Sequence, residues 1–378
     1  MTVKIIKSPK YDVKLLESRI SEAFMDLGLD LKNKKSAILK PNIVIPATPG
    51  SSIITHPVLV EAVINVLEKN GTKEIIIAEG PGVGADESKA FELSGYNKLA
   101  SKKNVKLINL NTAERVEMQW KYGTLKLPKI VVESDLYINM PKMKTHGQTV
   151  VTLGMKNQKG LLSRADKQKF HKLGLHEPLV ELAKVIQPHI VIVDAIESME
   201  GEGPLNGKKK KVGALVIGTN QVKTDTVCCE IMGIDPKKVE HIAEGIKQSL
   251  GPEKPEIIGS GINEVETVFI KADEKYGHFL NVYSCRNPYA CSMCIDSFTL
   301  AVKSSIWSPK YWFTFLPKFT YYAVLKHLYI IQGKYAEIPD TKGKVICLGD
   351  CTKEIADKKH LMHIRGCPPD SRTILESL

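Results

Sequence analysis

Residues 55–82 read THPVLVEAVINVLEKNGTKEIIIAEGPG, and this stretch decides the fold class. Pro57 suits the first turn of a helix, where its missing N–H is not needed. An amphipathic helix then runs to about Lys69, and Asn70-Gly71 closes it. Glu74–Ala78 carries the unbroken apolar run Ile75–Ala78 and is ended by Glu79-Gly80-Pro81-Gly82, the mark of a buried-type strand. The same alternation continues outward. Ser36–Leu39, Leu107–Asn109, Leu136–Asn139, Ile190–Asp194 and Ala214–Gly218 are further apolar runs, and helical spacing marks Glu87–Leu93, Glu177–Ile186 and Thr224–Met232. The pattern predicts an α/β domain built on a largely parallel sheet flanked by helices. In such sheets ligands bind beyond the carboxyl ends of the strands. Polar clusters follow several of these runs: Lys40 and Asn42, Glu79, Lys142 with Lys144 and His146, and Asp194 with Glu197.

The densest polar segment is MPKMKTHGQTVVTLGMKNQKG, residues 140–160. Its lysines and amide suit carboxylate or phosphate oxygens, and Gly154 and Gly160 permit close backbone approach to a ligand. Lys40, Asn42, Lys142, Lys156, Asn157 and Asp194 are therefore read as binding residues. Lys144, His146 and His171 are read as catalytic, because histidine moves protons near neutral pH. A lone histidine is more often structural, but here His171 and His176 follow a lysine cluster. Asp194, Glu197, Glu200 and Glu202 could balance the lysines, bind a hard cation, or form a solvated loop. There is no Walker A, GxSxG or HExxH motif, and GPGVG at 80–84 is not GxGxxG.

The chain has 378 residues, 43% hydrophobic and 25% charged, a composition of ordinary globular domains. Its net charge of +11 admits nucleic acid, anionic lipid or small anions as partners, but a lysine-rich solvated surface explains it as well. Without a zinc finger, an RRM signature or a basic aromatic stripe, nucleic acid is not expected. The opening MTVKIIKSPKYDVK lacks the apolar run of a signal peptide. No segment has the roughly 20 apolar residues of a spanning helix, so the cytoplasm is the expected compartment.

Cysteine usage separates the two ends of the chain. Six of the eight cysteines fall in the last quarter: Cys285, Cys291 and Cys294, then Cys347 and Cys351, then Cys367 before Pro368. Cys228 and Cys229 read as buried helix residues. The six read as soft ligands for zinc or an iron–sulfur cluster, and Cys367-Pro368 favours the cluster. This divides the chain into an α/β domain at 1–272 and a cysteine-rich α+β region at 273–378. The aromatic segment 307–335, with lysines interspersed, reads as a helical hairpin over that region, or as a membrane-surface or partner contact.

Several segments together resemble the domain of unknown function 362 family. They are Lys40-Pro41-Asn42, Thr55-His56-Pro57, MPKMKTH, TLGMKNQKG, DAIESMEGEGP at 194–204, IMGIDP at 231–236 and the tail LGDCTKE with GCPPDSRTIL. The resemblance implies an α/β domain joined to an iron–sulfur region, here in a variant with CxxC, then GDC, then GCPP. It implies Cys291, Cys294, Cys351 and Cys367 as ligands of one [4Fe–4S] cluster. The resulting expectation is an iron–sulfur oxidoreductase or electron-transfer protein acting on an anionic small molecule or a redox partner. Two other classes stand beside it: a non-redox isomerase, racemase or lyase with a structural cluster or zinc, and a cluster carrier or docking protein.

Overall fold

The computed structural model describes residues 2–82, 85–272, 281–285, 290 and 292–377. The chain forms two compact units, Met1–Lys167 with His176–Ala272, and Gln168–Leu175 with Asp273–Leu378.

The first unit is built on a large sheet. Its strands are β1 (Thr2–Lys7), β2 (Ser36–Lys40), β3 (Glu74–Glu79), β4 (Lys106–Asn109), β7 (Leu136–Asn139), β8 (Lys142–His146), β9 (Val150–Thr152), β10 (Ile190–Glu200), β11 (Lys208–Gly218) and β12 (Glu256–Gly259). A separate hairpin pairs β5 (Arg115–Trp120) with β6 (Gly123–Pro128). The sheet order is β12-β1-β11-β10-β7-β2-β3-β4, with β8 on β10 and β9 on β8. The block β10-β7-β2-β3-β4 is parallel. β11, however, runs antiparallel to both neighbours, and β9 runs antiparallel to β8. The expected largely parallel sheet is thus corrected to a mixed one. β10 and β11 are joined by a seven-residue turn region, 201–207, and so short a link joins only antiparallel strands.

Alternation along the strands sorts residues onto two faces. Ile190, Ile192, Leu215 and Ile217 join one apolar cluster with Leu16 and Ile20 of helix Val13–Asp26 and Leu59, Val63 and Leu67 of helix Pro57–Lys69. Val191, Val193, Ala214 and Val216 join the other, with Val222, Val227, Cys228 and Cys229 of helix Gln221–Ile231. Each buried aliphatic side chain contributes about 1.5–3 kcal/mol. The helix starts are capped locally. Asp12 accepts from the Leu15 N–H, Asn220 accepts from the Lys223 N–H, and His56 Nδ1 accepts from the Val58 N–H just before Pro57.

The second unit carries a four-stranded sheet: β13 (Val282–Cys285), β14 (Leu328–Ile331), β15 (Lys344–Leu348) and β16 (Met362–Ile364), parallel throughout and in chain order. Phe298, Phe315, Ile330, Ile346, Leu348 and Ile364 form its main apolar cluster. The region expected as α+β is therefore a small parallel sheet with helices. Helix Ser292–Ile306 lies between β13 and β14, and helix Lys353–Lys359 lies between β15 and β16.

Candidate functional site

In the first unit the parallel strands deliver polar side chains at their carboxyl ends. β2 ends at Lys40, opposite Asn139 of β7, and β3 ends at Glu79. Lys40 Nζ donates to Glu79 Oε2 at 2.8 Å, and both side chains are sealed from solvent. Glu79 Oε1 accepts from the Gly80 N–H at 2.7 Å. Burial pushes the Lys40 ammonium below the ordinary lysine range, against the pull of Glu79. Gly160 closes over this pair. A Cβ there would stand 2.1 Å from Glu79 Oε1 and 2.7 Å from Lys40 Nζ, so only glycine fits.

A second buried pair lies between β8 and β10. Lys142 Nζ donates to Asp194 Oδ2 at 3.0 Å and to Tyr11 Oη at 2.8 Å. Tyr11 donates in turn to Asp194 Oδ1 at 2.8 Å, and the His56 N–H donates to Asp194 Oδ2 at 2.9 Å. The His56 ring stacks on Tyr11 with centroids 3.8 Å apart. Burial lowers Lys142 against the pull of Asp194, and burial with the Asp194 charge raises the Tyr11 hydroxyl far above its usual range. Lys40 and Lys142 are thus each committed to an internal carboxylate.

Lys144 differs. It is fully buried, yet its Nζ donates only to neutral oxygens, Asn42 Oδ1 and the Ile53 carbonyl, both at 2.7 Å. Burial, and then the charge of Lys142, bring its pKa down to about 7. From Asn42 a chain of amides continues. Asn42 Nδ2 donates to Asn157 Oδ1 at 3.1 Å, Asn157 Nδ2 to Asn139 Oδ1 at 2.7 Å, and Asn139 Nδ2 to the Gly154 carbonyl at 2.9 Å. This chain fixes the short helix Gly154–Asn157, whose first two N–H groups are held by Asp225 at 2.7 and 2.8 Å. Burial lifts the Asp225 carboxyl to about 7 in spite of those bonds.

That helix carries Lys156, which has no hydrogen-bond or ion-pair partner among the described residues. Its side chain keeps partial exposure, but desolvation, with Lys159 and Lys144 nearby, pushes its pKa well below the ordinary value. The Lys156 charge also acts on His176 and His241. These two rings meet Nδ1 to Nδ1 at 3.2 Å, and burial holds both below the usual histidine pKa. His176 Nε2 lies 3.3 Å from the Gln148 carbonyl. Both polar atoms of the Gln148 amide and Nε2 of His241 are buried without a partner. His146, almost fully buried, accepts the Gln148 N–H on Nδ1 at 3.0 Å, which leaves the ring proton on Nε2.

Lys144, Asn42, Asn157 and Asn139 therefore share one network, which fixes the helix that carries Lys156, while Lys40 pairs with Glu79 and Lys142 with Asp194. His171 belongs to the second unit. Sequence reasoning missed Tyr11, His241, Lys167 and Asp225 as site residues. Lys167 is nearly sealed, donates to the Gly80 and Pro81 carbonyls and to Asn111 Oδ1, and is brought by burial to about 7. No local motif announces these four, because each reaches its partners across the fold. Glu79 was visible as an acid ending a buried strand.

The cysteines of the second unit give a different result from the one expected. Cys294, Cys351 and Cys367 line one cavity of about 690 Å³ with His171 and Lys334. Cys291 lies outside the described residues. Cys294 packs into the apolar cluster with Phe298, Leu348 and Ile364, whereas Cys367 is exposed. Cys347 sits among Ile331, Ala336 and Ala356, where burial raises its thiol to about 11 and disfavours the thiolate a metal needs. Among the described residues, no group of three or more His, Cys, Asp or Glu side chains is placed to hold a metal ion. This corrects the [4Fe–4S] cofactor expected for the tail, while the set Cys291, Cys294, Cys351 and Cys367 includes a residue outside those described. It also corrects the iron–sulfur oxidoreductase and electron-transfer readings built on that cofactor.

A family model described as a domain of unknown function (DUF362) matches residues 38–230, just over half of the chain. The chain belongs to this family. The match spans the lysine-bearing strands and ends before the first cysteine of the tail, so the CxxC–GDC–GCPP iron–sulfur variant is not part of what it supports. A relative, the thylakoid-associated protein sll1697 of Synechocystis sp., is 29% identical over 265 residues, which is 68% of this chain and 82% of that protein. Two solved structures are similar in part. The lactate racemase apoprotein from Thermoanaerobacterium thermosaccharolyticum aligns with a TM-score of 0.40 at 16% identity, over 61% of this chain and 57% of that one. A Thermotoga maritima protein aligns at 0.35 and 12%, over 55% and 56%. Both alignments span under two thirds of the solved chains, and neither likeness carries an argument about chemistry. Among the described residues no helix is long and apolar enough to cross a membrane.

Proposed function

We propose that the first unit is a non-redox enzyme that moves a proton on a small organic anion, in the manner of an isomerase, racemase or lyase. The observation that carries this reading is Lys156, a desolvated ammonium without a partner, beside the buried and unpartnered polar atoms of Gln148 and His241. Buried polar groups are normally satisfied, and an uncompensated buried charge is costly. A carboxylate supplies the missing charge and an acceptor for the Gln148 Nε2 amide group. Lys156 and His176, which retain partial exposure, are the groups that meet the substrate. Burial holds the His176 ring below its usual range, so a neutral base is available near neutral pH, while Lys156 meets the carboxylate as the cation. His241 orients His176. Lys144, fully enclosed, supplies charge and holds the amide chain under Lys156.

The test is proton exchange with solvent. A panel of small hydroxy-, keto- and dicarboxylic acids is incubated with the protein in D₂O and followed by proton NMR. The reading expects deuterium at a carbon beside the carboxylate or carbonyl for at least one acid, with loss of exchange in folded Lys156→Ala and His176→Ala proteins. Thermal protection by none of the acids, together with no exchange, overturns it.

A further inference from the structure

The second unit carries a surface that ordinary folding leaves in the wrong solvent. Of the large apolar side chains most exposed among the described residues, nine lie between Leu300 and Tyr335. Trp307 and Phe313 are each 86% exposed and Leu325 is 71% exposed. Neighbouring rings are anchored from below. Phe315 is fully buried and stacks on Phe319, and the Trp312 indole N–H is held by the Ile306 carbonyl at 2.9 Å. The exposed set is therefore presented by a packed base, not by a loose tail. Exposed apolar clusters of this kind mark contact surfaces.

The charge around this surface selects the occupant. From Ser297 to Ala336 the chain has five lysines and no aspartate or glutamate. Lys303, Lys310, Lys318 and Lys326 are exposed. Lys310 alone of these has an ion pair, with Glu376 at 3.3 Å, and that pair is itself solvent-exposed. Beside them a notch of about 490 Å³ is lined by Lys318, Tyr321, Tyr322 and Lys344. Exposed Trp, Phe and Leu among lysines, with a single exposed acid, Glu376, paired to one of them, match an anionic bilayer surface. The rings enter the headgroup boundary, while the ammonium groups stay at lipid phosphates.

We propose that segment 300–335 docks the protein peripherally on anionic lipid, with Trp307, Phe313 and Leu325 inserted and the surrounding lysines at the headgroups. The contact is interfacial and needs no spanning helix.

The full-length protein is mixed with phosphatidylcholine vesicles with and without phosphatidylglycerol, and bound protein is measured by co-sedimentation and tryptophan emission. Binding should require phosphatidylglycerol, weaken as salt screens the lysines, and shift the emission to the blue. Trp307→Ser/Phe313→Ser should weaken partitioning by about tenfold or more, the effect of removing two inserted aromatics. Lys318→Glu/Lys326→Glu should do so without removing any ring. Three outcomes overturn the proposal: no binding to either vesicle at low salt, binding that neither double variant changes, or a vesicle-free dimer in sedimentation that Trp307→Ser/Phe313→Ser dissolves. The last would assign the surface to a second copy of the chain.

Discussion

In the first unit Lys40, Lys142 and Lys144 are fully buried; in the second Trp307 and Phe313 are each 86% exposed. Each unit inverts the usual partition, which keeps lysine in water and aromatics in the core. The inversions differ in how they are compensated. Lys40 and Lys142 recover their lost hydration through Glu79 and Asp194, while Lys144 settles for neutral oxygens and Lys156 has no partner. Trp307 and Phe313 keep most of their surface uncovered by the described residues of the second unit. Compensated inversion builds structure, and the uncompensated inversions are where the two proposed contacts, with an organic anion and with anionic lipid, lie.

The largest effect should come from breaking a compensated pair. Lys142→Met leaves Asp194 buried without its cation, which should cost about 3–5 kcal/mol. Urea unfolding followed by circular dichroism would show it. Lys142→Met/Asp194→Asn should recover a good part of the loss. A neutral single variant would mean that the buried Lys142–Asp194 pair is not compensated as its geometry indicates.

Lys144 should show itself in the pH dependence of stability. Its folded pKa of about 7 lies below the ordinary 10.5. Between those values the unfolded chain holds a proton that the folded chain does not, so stability rises with pH across that window. The slope from this one group is at most about 1.4 kcal/mol per pH unit. Lys144→Met should therefore flatten the stability profile between pH 7 and 10.5 relative to the parent. Parallel profiles would show that the burial of Lys144 does not depress its pKa.

The smallest effect belongs to the exposed rings. Trp307→Ser and Phe313→Ser should each change unfolding stability by no more than about 0.5 kcal/mol, since neither side chain is packed. A loss of several kcal/mol would mean that these rings belong to the fold and not to a contact surface.

Much of the first unit was legible in the sequence because the information there is local. The helix–strand alternation of 55–82, the cap at His56-Pro57 and the polar residues ending β2 and β3 all follow from neighbours along the chain. The direction of β11 was not legible, since an apolar run carries no mark of parallel or antiparallel pairing. The cysteine spacing was visible but did not reveal where each sulfur packs. Cys294 joins the apolar cluster around Phe298 and Cys347 lies beneath Ala356; both placements arise from strands and helices distant in sequence.

The sequence by itself determined that this chain is α/β, that lysines follow its strands, and that a lysine-rich, acid-free aromatic segment lies near its end. Only the tertiary structure decided which lysines are neutralised. Glu79 is 39 residues from Lys40 and Asp194 is 52 from Lys142, whereas no carboxylate reaches Lys144 or Lys156. The sign and strength of a buried charge depend on what lies within a few ångströms of it, and in this fold those neighbours come from other strands.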